Sequence, residues 1–247
     1  MQYINIFQSF HQDYPRNKDC HWITPIAVGG YAGENMHSDS LGENISSLNS
    51  SYCELTTQFY AWKNSKSNFV GFYHYRRYLN YLIDDSIYDS VIPGAKWYEP
   101  TAQTIQYLTS REQYERLEMI LNMHDVVLPN KYILAPNIRE QYFINTKEHN
   151  PWVIFMNQIS QKHKGAESYF HLTARAPICN MFIMKRNIFE AYCSDLFPVI
   201  NNVYKKLGQN FDKQNNRYPG FLAERYLGFW LTINKIAYHE VPMIAFK

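Results

Sequence analysis

Residues 43–78, ENISSLNSSYCELTTQFYAWKNSKSNFVGFYHYRRY, constrain the fold of this chain more than any other stretch. Ser51 and Glu54 stand three apart, the spacing of a capping box in which each side chain satisfies a backbone N–H at a helix start. Behind them Tyr52, Leu55, Phe59 and Trp62 recur at three- and four-residue intervals, which gives the helix one apolar face. Asn64, Ser65 and Ser67 interrupt that pattern, and residues 68–73 (NFVGFY) are aromatic and β-favouring, so a strand follows. The strand runs into His74-Tyr75-Arg76-Arg77-Tyr78. Open α/β sheets bind ligands beyond the carboxyl ends of their strands, so a cationic cluster at this point marks a candidate anion site.

The 247 residues suffice for one large α/β domain with a well-buried core. A formal charge of +2 gives no bulk electrostatic case for nucleic acid as a partner. The 21 tyrosines supply flat apolar faces with a polar edge, suited to core packing and equally to stacking on sugars or bases. Cys20, Cys53, Cys179 and Cys193 are widely spaced with no C-x-x-C pair, which predicts free thiols, a reducing compartment and no structural zinc. The opening MQYINIFQSF lacks the basic leader and apolar run of a signal peptide, and no window approaches the roughly 20 apolar residues of a membrane span. The expectation is a cytoplasmic protein, at most peripheral on the inner face of a membrane.

Along the chain, residues 3–7 and 23–28 read as strands, and Gln8-Ser9-Phe10-His11 reads as the loop beyond the first of them. Residues 31–47 form a polar, turn-rich segment, long enough to suggest function. Asp84-Asp85 reads as a solvated turn within an irregular segment from 84 to 100. Ser110 and Gln113 form a second capping-box pair opening a helix over 111–123, and residues 125–129 are a strand closed by Pro129. Helices are expected over 137–146, from Asn150-Pro151 onward, over 187–207 with Pro198 limiting its regularity, and over 220–234. Strands are expected over 179–184 and 241–246, with a polar loop over 209–219. With no repeat, low-complexity tract or linker, the chain reads as a single domain over residues 1–247.

Several of these residues together carry a family resemblance. Asp39 with Gly42 and Asn44-Ile45-Ser46, Tyr52-Cys53-Glu54-Leu55-Thr56, Trp62-Lys63-Asn64, and Gly71 leading into His74–Tyr78 form one ordered series. Asp125, Gln141-Tyr142, Asn180 to Met184, and Gly220 with Glu224-Arg225 continue it over almost the whole chain. The series resembles a bacterial family of capsular and exopolysaccharide gene clusters, long catalogued as a domain of unknown function and now grouped with glycosyltransferases. The first strand departs from the pattern, since the family has Thr-His-Lys where this chain has Gln8-Ser9-Phe10-His11.

The resemblance implies an α/β fold of the single-domain nucleotide-sugar transferase (GT-A-like) type, with a central, mostly parallel sheet flanked by helices. It also implies hexose transfer, in some members of galactofuranose, from a nucleoside diphosphate sugar such as a UDP-linked one. The acceptor would be a growing surface glycan or its lipid-linked form. Many transferases of this architecture hold a divalent metal on an Asp-x-Asp where this chain has His74-Tyr75-Arg76-Arg77. Arginine forks match phosphate oxygens, and cations aimed at developing charge lower a barrier, so Arg76 and Arg77 are expected to stabilise the leaving diphosphate without a metal cofactor. His74, Tyr75, Lys63, Asp39, Asn44, Asn180 and Ser9 are the donor-side candidates. Asp39 either accepts hydrogen bonds from sugar hydroxyls or shapes its loop. Glu224 is the candidate general base, because a charge in so apolar a segment is either placed at a site or paired; a Glu224–Arg225 ion pair is the competing reading. Glu54 reads as a cap. A non-catalytic module that binds a nucleotide or glycan in an assembly complex is the alternative from another class.

Overall fold

The computed structural model describes residues 3–82, 96–208 and 216–247. In chain order the strands β1 (Ile4–Phe10), β2 (Ile23–Ala27) and β3 (His37–Ser38) precede the helices α1 (Asn49–Tyr52) and α2 (Leu55–Asn64). Next come β4 (Phe69–His74), β5 (Arg77–Leu79), β6 (Lys96–Tyr98), α3 (Ala102–Leu108), α4 (Arg111–Leu121), β7 (Val126–Pro129) and β8 (Tyr132–Ile133). Helices α5 (Ile138–Thr146), α6 (Asn150–Lys162) and α7 (Ala166–Leu172) lead to β9 (Arg175–Ala176) and β10 (Phe182–Lys185). The chain closes with α8 (Arg186–Leu207), α9 (Tyr218–Ile233), β11 (His239–Val241) and β12 (Met243–Phe246).

The main sheet is ordered β11-β7-β10-β4-β1-β2-β3, with β5, β6 and β12 attached off this path, and β8 pairs β9 separately. Pairings of β1 with β2 and β4, β2 with β3, and β7 with β11 are parallel. Along the path only β10 runs against its neighbours, antiparallel to both β4 and β7. The fold is therefore α/β, with a central, mostly parallel sheet flanked by helices.

Strand alternation divides the core into two layers. Val70, Phe72, Phe182 and Met184 face one cluster, built with α2 and α5 to α9. Phe69, Tyr73, Met181 and Ile183 face the other, closed by α3 and α4. Gly71, at the middle of β4, lies where a Cβ would meet Ile183 Cγ1 at 2.7 Å and Ile6 Cγ1 at 3.0 Å, so the second layer closes directly on the strand backbone.

Several expectations change. The predicted Ser51–Glu54 box does not form: Ser51 lies inside the four-residue α1, Cys53 breaks the helix at φ 52°, and Glu54 precedes α2 without a side-chain cap bond. The Ser110 cap does form at 3.4 Å, but the Gln113 side chain is diverted to Asn80 Oδ1 and the Tyr81 N–H, where it holds the chain beyond β5. Strand β1 reaches Phe10, because its pairing with β2 and β4 continues through Ser9, so Gln8, Ser9 and Phe10 are strand rather than loop. Helix α8 continues through Pro198, where a buried apolar face that includes Phe197, Val199 and Ile200 outweighs the one backbone bond lost. Pro242, which has no N–H to donate, divides the predicted last strand into β11 and β12. Helices α3 and α7 were not predicted. Asp84-Asp85 and residues 209–215 of the predicted loop lie outside the described residues.

Candidate active site

Because β10 is antiparallel, its first residues reach the same sheet edge as the last residues of β1 and β4. Phe182 pairs with Phe72, and that register carried two residues further sets Asn180 level with His74. Ser9 pairs with His74 across the parallel ladder and meets Thr57 Oγ1 at 2.8 Å through its own hydroxyl, which fixes the start of α2 over this edge. Asn180, at φ 51°, donates from Nδ2 to the Gly220 carbonyl at 3.2 Å, and its own carbonyl accepts from Gln58 at 3.1 Å. The starts of α2 and α9 are thereby tied to one end of the sheet.

At this edge His74 is buried and its Nδ1 accepts the Arg76 N–H at 3.3 Å, so the remaining proton of the neutral ring sits on Nε2. Nε2 lies 3.8 Å from Glu54 Oε1. Burial first, and then the charges of Arg77 and Arg76, hold the His74 imidazole far below its ordinary pKa, so it is neutral at physiological pH. Among the described residues Glu54 makes no ion pair with a lysine or arginine, its contact being that with His74, though its charge also acts on Arg217 and His11. Arg77 is half-buried and has no carboxylate partner among the described residues, yet its charge acts on His74, Glu224 and Cys179. The Arg76 guanidinium lies 5.2 Å over the ring of Tyr75, which packs at 4.9 Å from His11 and 5.0 Å from Tyr14. Arg217, exposed just ahead of α9, donates from Nε to Cys53 Sγ at 3.0 Å. Burial pushes the Cys53 thiol up to about 12, so that sulfur is neutral.

Glu224 belongs to the same group but is differently held. Its Oε2 accepts from Arg225 Nη1 at 2.8 Å, and Arg225 is 3% exposed, donating also to Gln141 Oε1 at 2.7 Å and to the Phe221 carbonyl at 3.0 Å. Burial raises the Glu224 carboxyl above its ordinary value, opposed by Arg225, reinforced by Glu54, and opposed again by Arg77 and Arg217. Two carboxylates, four arginines, a neutral histidine and a neutral thiol therefore share one end of the sheet.

Of the donor-side residues expected from sequence, His74, Tyr75, Ser9 and Asn180 come together here with Arg76, Arg77 and Glu224. Lys63 does not. It lies in the last turn of α2, about 13 Å along the axis from Glu54 at 1.5 Å per residue. There it pairs with Glu43 at 3.5 Å and covers Trp62 at 3.8 Å. Asn44 is spent on its own loop, donating to the Ser40 and Gly42 carbonyls and accepting the Ser46 N–H. Asp39 is 1% exposed; its Oδ1 accepts the Ser46 hydroxyl, the loop-shaping role, while Oδ2 has no hydrogen-bond partner among the described residues. Sequence reasoning missed Glu54, Arg217 and His11. For Glu54 the sequence offered only the spacing of a helix cap, and the break at Cys53 that presents it is a feature of the structure. Among the described residues no group of three or more His, Cys, Asp or Glu stands where it could hold a metal ion. No described helix is long and apolar enough to cross a membrane.

This fold has a solved counterpart. The chain superposes over its whole length on 46% of a structure described as the WbbM bifunctional glycosyltransferase in its apo form, with a TM-score of 0.84 and 21% sequence identity. The chain thus spans about half the length of that protein. Residues 5–235 match the family model described as Domain of unknown function (DUF4422), and the chain belongs to that family. Among curated proteins none matches it.

Proposed function

We propose that residues 1–247 form a glycosyltransferase domain that moves a hexose from a nucleoside diphosphate sugar to a glycan acceptor. The observation that carries this reading is Arg77, which has no carboxylate counter-ion among the described residues and whose charge acts on Glu224, at the end of the central strand of a fold shared with a glycosyltransferase. Transfer breaks the bond between the anomeric carbon and the diphosphate, and negative charge grows on the departing oxygen. A guanidinium fixed at that point stabilises the transition state more than the ground state. Arg77, with Arg76 beside it, takes this part without a divalent metal. The acceptor hydroxyl must lose its proton as it attacks, and a carboxylate of the site, Glu224 or Glu54, receives it.

The finer reading is a UDP-linked hexose, galactose or galactofuranose, added to a capsular, exopolysaccharide or lipopolysaccharide glycan at the cytoplasmic face of the membrane. It follows from the family resemblance of the residue series running from Asp39 to Arg225. Incubation with a panel of nucleoside diphosphate hexoses, reading nucleoside diphosphate release with and without glycoside acceptors, tests it. The expected result is turnover that survives excess chelator. Binding without turnover would identify a recognition module instead, and activity lost to chelator and restored by manganese would overturn metal independence.

A further inference from the structure

The two carboxylates of the site are held in opposite ways, and this difference divides their work. Glu224 is the counter-ion of Arg225, which is 3% exposed and whose Nη1 and Nη2 are both engaged. A buried guanidinium stripped of its carboxylate is strongly unfavourable, so Glu224 is committed to the fold. Glu54 has no such commitment. It caps no helix, pairs with no described lysine or arginine, and keeps its side chain 20% exposed. The Nε2–H of His74, in the tautomer set by the Arg76 backbone, lies 3.8 Å from Glu54 Oε1. Cys53, immediately before it, holds φ 52° and ψ −130°, backbone that non-glycine residues adopt only when their surroundings enforce it. Cys53 is enforced from two sides: Arg217 donates to its sulfur at 3.0 Å, and its Cβ and Sγ pack against the start of α9 at Gly220. The break between α1 and α2 thus presents Glu54 at the sheet edge instead of along a continuous helix.

We infer that Glu54 is the general base of the transfer, that His74 is its positioning residue, and that Glu224 serves as the counter-ion of Arg225. This rests on the transferase reading above. In the step, the acceptor O–H bond breaks and its proton goes to a Glu54 carboxylate oxygen. The acceptor oxygen forms the new bond to the anomeric carbon. The bond from that carbon to the diphosphate breaks, and its electron pair leaves on the nucleoside diphosphate beside Arg77. The neutral His74, with Nε2 3.8 Å from Glu54 Oε1, orients that carboxylate through its N–H dipole without protonating it.

The test uses the full chain and a nucleoside diphosphate hexose that the wild type turns over. Glu54→Gln is expected to lose about 10²-fold or more in kcat, the usual span of a general base, with the donor KM and the thermal midpoint held. Glu54→Ala should recover part of its turnover in added formate, which a structural role does not allow. His74→Ala should lower kcat with KM held, and His74→Gln, which can place an N–H near Nε2, should restore part of it. Should Glu54→Gln not fold, Glu54→Asp keeps the charge one methylene shorter and is expected to lose kcat with KM held. Full kcat in the Glu54 variants, with Glu224→Gln folded but inactive, overturns the assignment. A wild type that turns over none of the donors removes the transferase reading itself, and the inference goes with it.

Discussion

Both ends of the central strand β4 carry basic residues, and they differ in how the charge is met. At its start, Lys66, Lys185 and Arg186 line a cleft of about 590 Å³ together with Asp125 and Asn187. There Lys185 pairs with Asp125 at 3.0 Å, and Arg186 donates to the Ser67 and Ala61 carbonyls at 3.2 and 3.5 Å, with Glu190 3.9 Å away. At its other end the charge of Arg77 acts on Glu224, which is taken by Arg225, while Glu54 makes no ion pair with a lysine or arginine among the described residues and lies 3.8 Å from a neutral histidine. Lys185 and Arg186, each matched with acceptors, hold the fold together there. A cation and a carboxylate held close and left unmatched are what a reaction that develops and discharges charge requires. The pattern of partners separates the two ends.

The comparison breaks most readily at Arg77. Arg77→Ala should cost about 10²- to 10³-fold in kcat for donor turnover, the usual effect of removing one transition-state donor, with an unchanged urea midpoint. Glu224→Gln should act on the other quantity, lowering unfolding free energy by about 3–5 kcal/mol in urea titrations, because it leaves the Arg225 charge unpaired in the core. Arg186→Ala, at the matched end, should lower stability by about 1–3 kcal/mol by leaving buried carbonyls unpaired, while donor turnover stays within about twofold of wild type. If Arg186→Ala silences turnover and Arg77→Ala spares it, the contrast between the ends is reversed.

The smallest effect belongs to Asp39. Burial raises its carboxyl above the ordinary value, against the hydrogen bonds from Ser46 and Thr56. A carboxyl whose folded pKa exceeds its unfolded one binds protons more tightly in the folded state, so its contribution falls as pH rises from the unfolded value through the folded one. Asp39→Asn should flatten that fall, giving a slightly higher thermal midpoint at neutral pH and little change in acid. Thermal unfolding of both proteins over this pH range checks it.

Much of this was legible in the chain itself. The helix–turn–strand unit around residues 51–74 and the cationic cluster at its end follow from periodicity and composition, which local sterics enforce. What escaped depends on geometry that spacing does not encode. The Ser51–Glu54 spacing is that of a cap, but the turn at Cys53 divides one helix into two and turns Glu54 toward His74. Lys63 looked like a neighbour of the cluster because eleven residues separate it from His74, yet α2 carries it to the far end of the sheet. Residues 180–184 read as a strand, but their direction is a tertiary property, and that direction brings Asn180 to the site. For Glu224 the sequence leaves base and ion pair balanced, and the burial of Arg225 favours the pair.

The reversed strand has a mechanical consequence. β10 ends at Lys185 and α8 starts at Arg186, with no connecting residue between them, so this wall of the site is cantilevered from a 22-residue helix. Insertions at that junction have nowhere to be absorbed and would shift the wall as a rigid body. Length changes in the stretch from Pro177 to Cys179, which precedes β10, would instead move the lip of the site alone.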